Sequence, residues 1–217
     1  MNLKYLFDGK STFKEFSIST FIFLWLHQQF FYKELQKEVI RPIQSGDEYT
    51  KTWADVGCST GLMSRLASSL KYKITGIDIN SFSLFVARLL SFNLKNTTYI
   101  KDDFSTLEEK FDVVSATSLL SVVDDKEATL NQLINLLKDE HSTLVIIEPT
   151  KNMTKENVWR LMPNFKKFWF YKGLLLWASA REGKEISEDL FTNLDKIHIK
   201  HNYYLHEMLR ITYIRLV

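Results

Sequence analysis

The sequence has 217 residues, of which 45% are hydrophobic and 25% are charged, and its formal net charge is +2. This length suits one packed α/β domain and is short for two. The single cysteine, Cys58, excludes an internal disulfide, and no apolar run reaches the roughly 18 residues of a membrane-spanning helix. The chain starts without the apolar core of a secretory signal, so we expect a cytoplasmic protein.

Residues 12–45 are predicted to be helical. Large apolar side chains recur there at roughly helical spacing: Phe21, Leu24, Trp25, Phe31, Leu35 and Val39. The pair Arg41-Pro42 disfavours continuation of the helix. The sequence therefore predicts a helical N-terminal lead-in.

Strands and helices then alternate along the chain. Strands are predicted near 52–56, 72–78, 97–101, 111–116 and 143–148, and helices near 60–70, 81–93 and 125–138. Apolar runs such as 144–147 are too short for helices and lack the alternation of a half-exposed strand. This order predicts a parallel sheet that is covered by helices on both faces.

The pattern changes beyond Pro149. An aromatic helical stretch is predicted for about 157–180, a short helix for 187–194, and strands for 196–204 and 208–216. Two strands that follow each other so closely pair as an antiparallel hairpin.

A glycine-containing turn joins the first predicted strand to the next helix. Its sequence is Asp55-Val56-Gly57-Cys58-Ser59-Thr60-Gly61. Backbone N–H groups are unpaired at a helix start, and glycines let a ligand approach them closely. Asp78 ends the second strand, where a carboxylate can accept hydrogen bonds from both ribose hydroxyls. These features predict a nucleotide-type cofactor, although Asp78 could instead belong to the cap of the following helix, near Asn80.

A dinucleotide such as NAD is a competing interpretation of this turn. It requires Gly-x-Gly-x-x-Gly, and Ser59 stands where the second glycine should be. Asp55 would also repel a diphosphate, whereas it suits a cationic aminoacyl sulfonium group. Charge and pattern both favour methyl transfer.

Taken in chain order, four segments resemble the class I S-adenosylmethionine-dependent methyltransferase family, which has a Rossmann-like fold. They are the turn 55–61, the strand end 77–79, residues 101–104 and the strand 111–117, with Ile147-Glu148-Pro149 similar to the family's fifth strand. The resemblance covers about 50–150 and extends more loosely to the C-terminus. It implies a three-layer, doubly wound α/β sheet of seven strands, mostly parallel with the last strand antiparallel, plus an N-terminal helical cap.

The resemblance also implies where S-adenosylmethionine, or its product S-adenosylhomocysteine, is held. The turn would lie against the methionine part, Asp78 would hold the ribose, and the pair Asp103-Phe104 would flank the adenine, with Asp102 a rival for the role of Asp103. The end of the fourth strand would meet the methionine amino and carboxylate groups. The predicted cofactor-binding residues are Asp55, Gly57, Cys58, Ser59, Gly61, Asp78, Ile79, Asp103, Phe104 and Ser115.

We predict a single methyltransferase domain over 1–217, in which 1–48 form the cap, 49–150 bind the cofactor, and 151–217 supply acceptor-side helices and the hairpin. The predicted reaction is direct in-line methyl transfer to a small, partly apolar molecule. Two alternatives stay open: a nucleic-acid methyltransferase, suggested by the more basic residues after 150, and a non-catalytic cofactor-binding or scaffold protein. The basic residues are scattered, so we do not expect a nucleic-acid partner.

Several other residues have possible functions that the sequence supports less strongly. Cys58 near a helix start could be a reactive thiol, but a small turn residue is the favoured interpretation. The histidines His198, His201 and His206 lack diagnostic spacing, so we expect no metal site.

The apolar run 168–180 could line a pocket, pack as core or touch a membrane surface, the last being the least favoured. A general base is not identified; side chains that could serve are Glu148, His27, Tyr32 and His206. The acceptor and the oligomeric state stay open.

Overall fold

The computed structural model describes residues 13–46, 49–161, 168–192, 194 and 197–217, and for 13–19 and 168–171 it describes the backbone alone. Within these ranges the helices are α1 (Phe13–His27), α2 (Phe30–Ile40), α3 (Leu62–Ser68), α4 (Ser81–Leu90), α5 (Lys126–Asn135), α6 (Lys155–Leu161) and α7 (Phe168–Arg181). The strands are β1 (Thr52–Val56), β2 (Lys73–Asp78), β3 (Thr97–Lys101), β4 (Val113–Thr117), β5 (Thr143–Pro149), β6 (Ile197–Tyr204) and β7 (Leu209–Leu216). Short 3₁₀ turns cover Phe104–Thr106 and Glu188–Phe191.

The seven strands form one sheet in the order β3-β2-β1-β4-β5-β7-β6. The first five strands are parallel, and β7 runs antiparallel to both β5 and β6. The predicted seven-stranded, mostly parallel sheet and its terminal hairpin are thereby confirmed. The order reverses direction between β1 and β4, and ligands of open α/β sheets bind at such a switch point, beyond the carboxyl ends of the strands.

Alternate residues of the central strands face opposite sides of the sheet, as the period of a strand requires. Trp53 on β1 and Val145 on β5 pack in one apolar cluster with side chains of α2, α3 and α7. Their neighbours Ala54 and Ile146 pack in a second cluster with side chains of α5. Apolar material therefore covers both faces, which explains why these strands are continuous apolar runs.

The helical lead-in that we predicted as one unit is two helices in the structure. The chain turns at Gln28 and Gln29, and the extended backbone of Gln29 (ψ of 139°) interrupts the helical path. The break lets the two helices take separate positions. Thr20 on α1 bonds to Ser83 on α4 at 2.7 Å, whereas α2 packs Phe31 against Trp177 of α7, with 6.2 Å between ring centroids.

Within the described residues, the predicted C-terminal helical stretch contains α6 and α7, whereas its residues 162–167 lie outside the described part, as does residue 12 of the predicted lead-in. The predicted short helix at 187–194 is a single 3₁₀ turn, with residue 193 outside the described part. In the described part of the chain, no helix combines the length and apolar character needed to cross a membrane.

Candidate functional site

A cavity of about 710 Å³ lies at the carboxyl ends of β1, β2 and β4, beneath residues of α1, α2 and α7, which we call the cap. Its volume falls within the roughly 300–1,000 Å³ that is usual for small-molecule sites. Most of the residues that the sequence predicts for cofactor binding line it: Asp55, Gly57, Cys58, Ser59, Asp78, Ile79, Asp103 and Phe104. The predicted residues Gly61 and Ser115 lie behind the lining.

The turn after β1 is tight because three of its residues adopt left-handed backbone angles. Gly57, Ser59 and Gly61 have φ values of +67°, +49° and +72°. A Cβ added to Gly61 would overlap the hydroxyl of Tyr99 and lie 2.9 Å from its Cε1 atom. Gly61 thus does not line the cavity in this structure but shapes the turn through its conformation and its packing on Tyr99, and its role in cofactor binding stays a prediction.

Asp78 joins the end of β2 to this turn. Its Oδ2 atom accepts a hydrogen bond of 2.7 Å from the backbone N–H of Ser59, and its Oδ1 atom accepts one of 2.8 Å from that of Asn80. The side chain of Asn80 caps α4 by accepting from the backbone N–H groups of Phe82 and Ser83. The N-cap of α4 is thus Asn80 and not Asp78, and Asp78 lines the cavity. Burial raises the pKa of this carboxyl.

Asp55 lines the cavity, yet its oxygens are held by the protein. Its Oδ2 atom accepts from the backbone N–H (3.0 Å) and the hydroxyl (2.6 Å) of Ser64, and its Oδ1 atom accepts from the hydroxyl of Ser115 (3.1 Å). The Ser115 hydroxyl also accepts a hydrogen bond of 2.8 Å from the indole of Trp53. Burial raises the pKa of Asp55 to about 6. Ser115 therefore supports Asp55 from behind the cavity wall, and its role as a cofactor contact stays a prediction.

Asp102, Asp103 and Phe104 all line the cavity at the end of β3. Asp103 caps the 3₁₀ turn by accepting from the backbone N–H of Ser105 at 3.2 Å, and Asp102 accepts from the hydroxyl of Thr106 at 3.2 Å. Both carboxylates keep free acceptor capacity, so the choice between them for the adenine amine stays open.

Buried hydroxyl groups without hydrogen-bond partners collect on this cavity. Among the described residues that line it, the hydroxyls of Ser59, Thr117 and Ser118 are buried and have no partner. An unsatisfied buried polar group costs roughly 1–3 kcal/mol, so these atoms are the natural complement of a ligand with polar groups. Ser118 also has a left-handed φ of +55°. Thr117 and Ser118 follow the predicted Ser115 in the chain, so the hydroxyls that are available to a ligand lie at the end of β4, two and three residues after the predicted position.

The cap contributes side chains that the motif does not contain. Phe23 and His27 come from α1, Tyr32 and Gln36 from α2, and Arg181 from the end of α7. The sequence named His27 and Tyr32 only among general-base candidates, and it offered no signal for Gln36 or Arg181. These positions are brought together by packing of distant segments.

His27 is held as a neutral imidazole. Its Nδ1 atom lies 2.8 Å from the hydroxyl of Thr60, and its ring centroid lies 4.9 Å from that of Tyr32. Burial, assisted by the charge of Arg65, lowers the pKa of His27 to about 3. Burial raises the pKa of Tyr32, which keeps the phenol protonated.

The other general-base candidates do not line the cavity. Glu148 is buried at the end of β5, where its Oε1 atom accepts a hydrogen bond of 2.7 Å from the backbone N–H of Leu120. Burial raises its pKa to about 7. This contact holds the loop after β4, so Glu148 has a structural role in the described part of the protein. His206 is exposed in the turn between β6 and β7.

The structure also shows the surroundings of Cys58 and of the described part of the apolar run 168–180. Cys58 is buried, and burial raises the pKa of its thiol, which favours the turn-residue interpretation over a reactive thiol. Leu174, Trp177 and Ala178, in the described part of 168–180, are buried core residues. No group of three or more His, Cys, Asp or Glu side chains suited to a metal ion occurs among the residues that the structure describes.

A family model described as a methyltransferase domain matches residues 25–205. The chain is 28% identical over 190 residues to the ubiquinone biosynthesis O-methyltransferase of Glaesserella parasuis serovar 5 (strain SH0165), covering 76% of this chain and 78% of that protein. It is 26% identical over 190 residues to the enzyme of the same name from Photorhabdus laumondii subsp. laumondii, covering 79% of each.

Solved structures share the fold. The plantazolicin methyltransferase BpumL, in complex with a triazolic desmethylPZN analog and SAH, aligns with a TM-score of 0.66 and 14% identity over 99% of this chain and 94% of that chain. The magnesium protoporphyrin IX methyltransferase ChlM from Synechocystis PCC 6803, with bound SAM, aligns with a TM-score of 0.58 and 13% identity over 100% and 90%. At these identities the similarity concerns the fold alone.

Proposed function

The chain belongs to the methyltransferase domain family, and we propose that it methylates an oxygen atom of a small, partly apolar acceptor. The matched residues 25–205 include every described cavity-lining residue except Phe23. S-adenosylmethionine-dependent methyl transfer is the activity of the family, and our proposal concerns the identity of the methyl acceptor. It is supported mainly by one observation: a single cavity is lined both by the turn after β1 and by aromatic side chains of the cap.

The residues that line the cavity fit S-adenosylmethionine. Asp78 would hold the ribose, Phe104 with Asp102 or Asp103 would hold the adenine, and the unpartnered hydroxyls at the end of β4 would take the polar methionine groups. When bound, the cofactor supplies an electrophilic methyl group that a nucleophile takes by direct displacement. The excess of carboxylates in the lining suits a ligand that carries a sulfonium charge.

The choice of oxygen rests on the relatives and on the cap. Both curated relatives described above are named O-methyltransferases. Phe23 and Tyr32 supply an apolar wall that can hold a ring or an alkyl group and exclude water. His27 and Tyr32 are both neutral, so they can orient an acceptor hydroxyl by hydrogen bonding but are poor bases. An acceptor whose hydroxyl is itself acidic, as in a phenol, suits these residues.

The alternatives receive less support. A non-catalytic binding protein would not need the space that lies under the cap beside the turn. A nucleic-acid substrate is disfavoured because the lining is rich in carboxylates, which repel phosphate. A cytoplasmic location stays a prediction of the sequence.

The test is methyl transfer from S-adenosylmethionine with a labelled methyl group to a panel of alkyl-substituted phenols. We expect labelled product whose new methyl group is bonded to oxygen, as identified by NMR. At a cofactor concentration below saturation, Asp78→Ala should lower the yield of product about 10- to 100-fold, whereas the exposed control Glu109→Gln should behave like wild type. Product methylated only on nitrogen or carbon would contradict the oxygen acceptor. Label transfer only to added RNA or DNA would contradict the small-molecule acceptor.

A further inference from the structure

The outer face of α4 carries large apolar side chains that are exposed to solvent. Phe85 and Leu89 lie four residues apart on this helix, with 59% and 61% of their surface exposed, and Phe92 in the turn that follows is 87% exposed. Phe82 belongs to the same stripe, because residues 82, 85 and 89 recur at the spacing of one helical face. Exposed apolar residues that occur singly are ordinary, whereas a continuous group of them indicates a contact surface.

Aromatic contacts extend this stripe from α4 onto α1. The ring centroid of Phe82 lies 6.5 Å from that of Phe85 and 5.8 Å from that of Phe21 on α1. Phe21 is itself 59% exposed. Two helices that are distant in the chain therefore present one apolar surface. We call it the α4 surface, and it consists of Phe21, Phe82, Phe85, Leu89 and Phe92.

The α4 surface lies next to the cavity. Ile79 directly precedes α4 in the loop after β2; it lines the cavity and is also 58% exposed. Ser83, in the first turn of α4, lines the cavity as well. On α1, the cavity-lining residue Phe23 follows two positions after Phe21. The cavity therefore meets the outside of the protein beside the α4 surface.

The charged side chains along this segment are all positive. Between residues 79 and 101 the sequence contains Arg88, Lys95 and Lys101 and no aspartate or glutamate, and all three basic residues are exposed. The adjoining acidic residues, Asp78 and Asp102, line the cavity. An apolar helix face that is flanked by basic side chains is typical of helices that lie at the interface of anionic membranes. A second copy of the chain would bring the same three cations to a symmetric contact, where they would repel each other.

We propose that the α4 surface docks on lipid membranes that contain anionic headgroups. The apolar side chains would enter the boundary between headgroups and acyl chains, and the basic side chains would lie among the anionic headgroups. This surface is separate from the run 168–180, in which Leu174, Trp177 and Ala178 are buried. Docking would place the cavity beside the bilayer, so that a partly apolar acceptor enters from the lipid. This last consequence rests on the proposed function, whereas the docking itself does not.

The experiment measures co-sedimentation of the full-length protein with phosphatidylcholine vesicles that contain or lack phosphatidylserine. Wild type should bind the anionic vesicles about 10- to 100-fold more tightly than the neutral ones. The double variant Phe85→Ser with Leu89→Ser should bind the anionic vesicles about 10- to 100-fold more weakly than wild type, because it lacks two inserted side chains. Val217→Ser is the matched control: this residue follows β7, is 83% exposed, and should keep wild-type binding.

Single charge variants test the basic residues without changing the apolar stripe. Lys95→Gln should weaken binding to the anionic vesicles about 5-fold, which is the contribution expected of one basic residue near an anionic surface. Lys200→Gln on β6 is equally a change of one exposed lysine and should leave binding unchanged. An equal loss in both variants would show that the net charge of the whole protein attracts it to the vesicles, and would overturn the assignment to the α4 surface.

Other results would also overturn the proposal. Wild type that binds neither kind of vesicle, or both equally, would exclude docking on anionic membranes. Sedimentation equilibrium without vesicles tests self-association: a dimer that Phe85→Ser with Leu89→Ser converts to a monomer would assign the α4 surface to a second copy of the chain. Vesicle binding requires neither cofactor nor turnover, so a failure of the proposed O-methylation would leave the docking proposal standing.

Discussion

The carboxylate of Asp78 accepts a 2.7 Å hydrogen bond from the backbone N–H of Ser59. These residues end β2 and form the turn after β1, so one side chain sets the spacing between two strand ends at the cavity. Asp78 is therefore both a ligand candidate and a structural link. Its two functions can be separated, because a neutral isostere preserves an oxygen acceptor and removes the charge.

Replacement of Asp78 should weaken cofactor binding. Asp78→Ala removes the acceptor of the Ser59 and Asn80 backbone groups together with the proposed ribose contact, so we expect about a 10- to 100-fold lower affinity for S-adenosylhomocysteine. Asp78→Asn should lose less, because one oxygen remains. Titration calorimetry measures both, with Glu109→Gln as the surface control. Unchanged affinity in Asp78→Ala would show that the ribose is held elsewhere.

Gly61→Ala should destabilise the fold more than an alanine at another left-handed glycine. Gly61 and Gly183 have similar φ values of +72° and +77°, but an added Cβ would meet Tyr99 at Gly61 and no atom within 4 Å at Gly183. Gly183→Ala should cost about 1 kcal/mol from backbone strain, and Gly61→Ala roughly 1–3 kcal/mol more from overpacking. Urea denaturation gives both values, and equal losses would show that the Tyr99 contact relaxes freely.

Glu148 should make stability fall as the pH rises. Burial raises its pKa from 4.5 to about 7, so the folded protein retains a proton over a range in which the unfolded chain has lost it. The free energy of unfolding should therefore decrease between about pH 4.5 and 7, by roughly 3 kcal/mol from this group. Glu148→Gln should lack this contribution, so its stability relative to wild type should rise over the same range. A constant difference between the two proteins would contradict the raised pKa, and Glu109→Gln should follow wild type.

His27 should remain neutral far below the usual range of histidine. With its pKa lowered to about 3, the imidazole should show no NMR titration between pH 5 and 8 in the folded protein. The effect of His27 on stability is opposite to that of Glu148. Between about pH 3 and 6.5 the imidazole is protonated in the unfolded chain and neutral in the folded protein, so the free energy of unfolding should rise with pH over this range. A midpoint near 6 would indicate that His27 reaches solvent and could act as a base.

Much of the fold could be predicted because it depends on local patterns. The apolar run 144–147 and the turn 55–61 each carry their signal within a few residues, and the structure has β5 and the cofactor turn at these places. The break between α1 and α2 could not be predicted in this way. It follows from where Phe31 and Trp177 pack, and these residues are far apart in the chain.

The positions of the glycine-containing turn and of the aspartates at the ends of β2 and β3 follow from the sequence, because local backbone conformation and strand period set them. The contacts of the other site residues follow only from the tertiary structure. In it, Ser115 donates a hydrogen bond to Asp55, Glu148 lies behind the cavity, and Gln36 and Arg181 line the cavity from the cap. The physical reason is that hydrogen-bond partners, burial and charge depend on neighbours from distant segments, whereas turns and strands depend on adjacent residues.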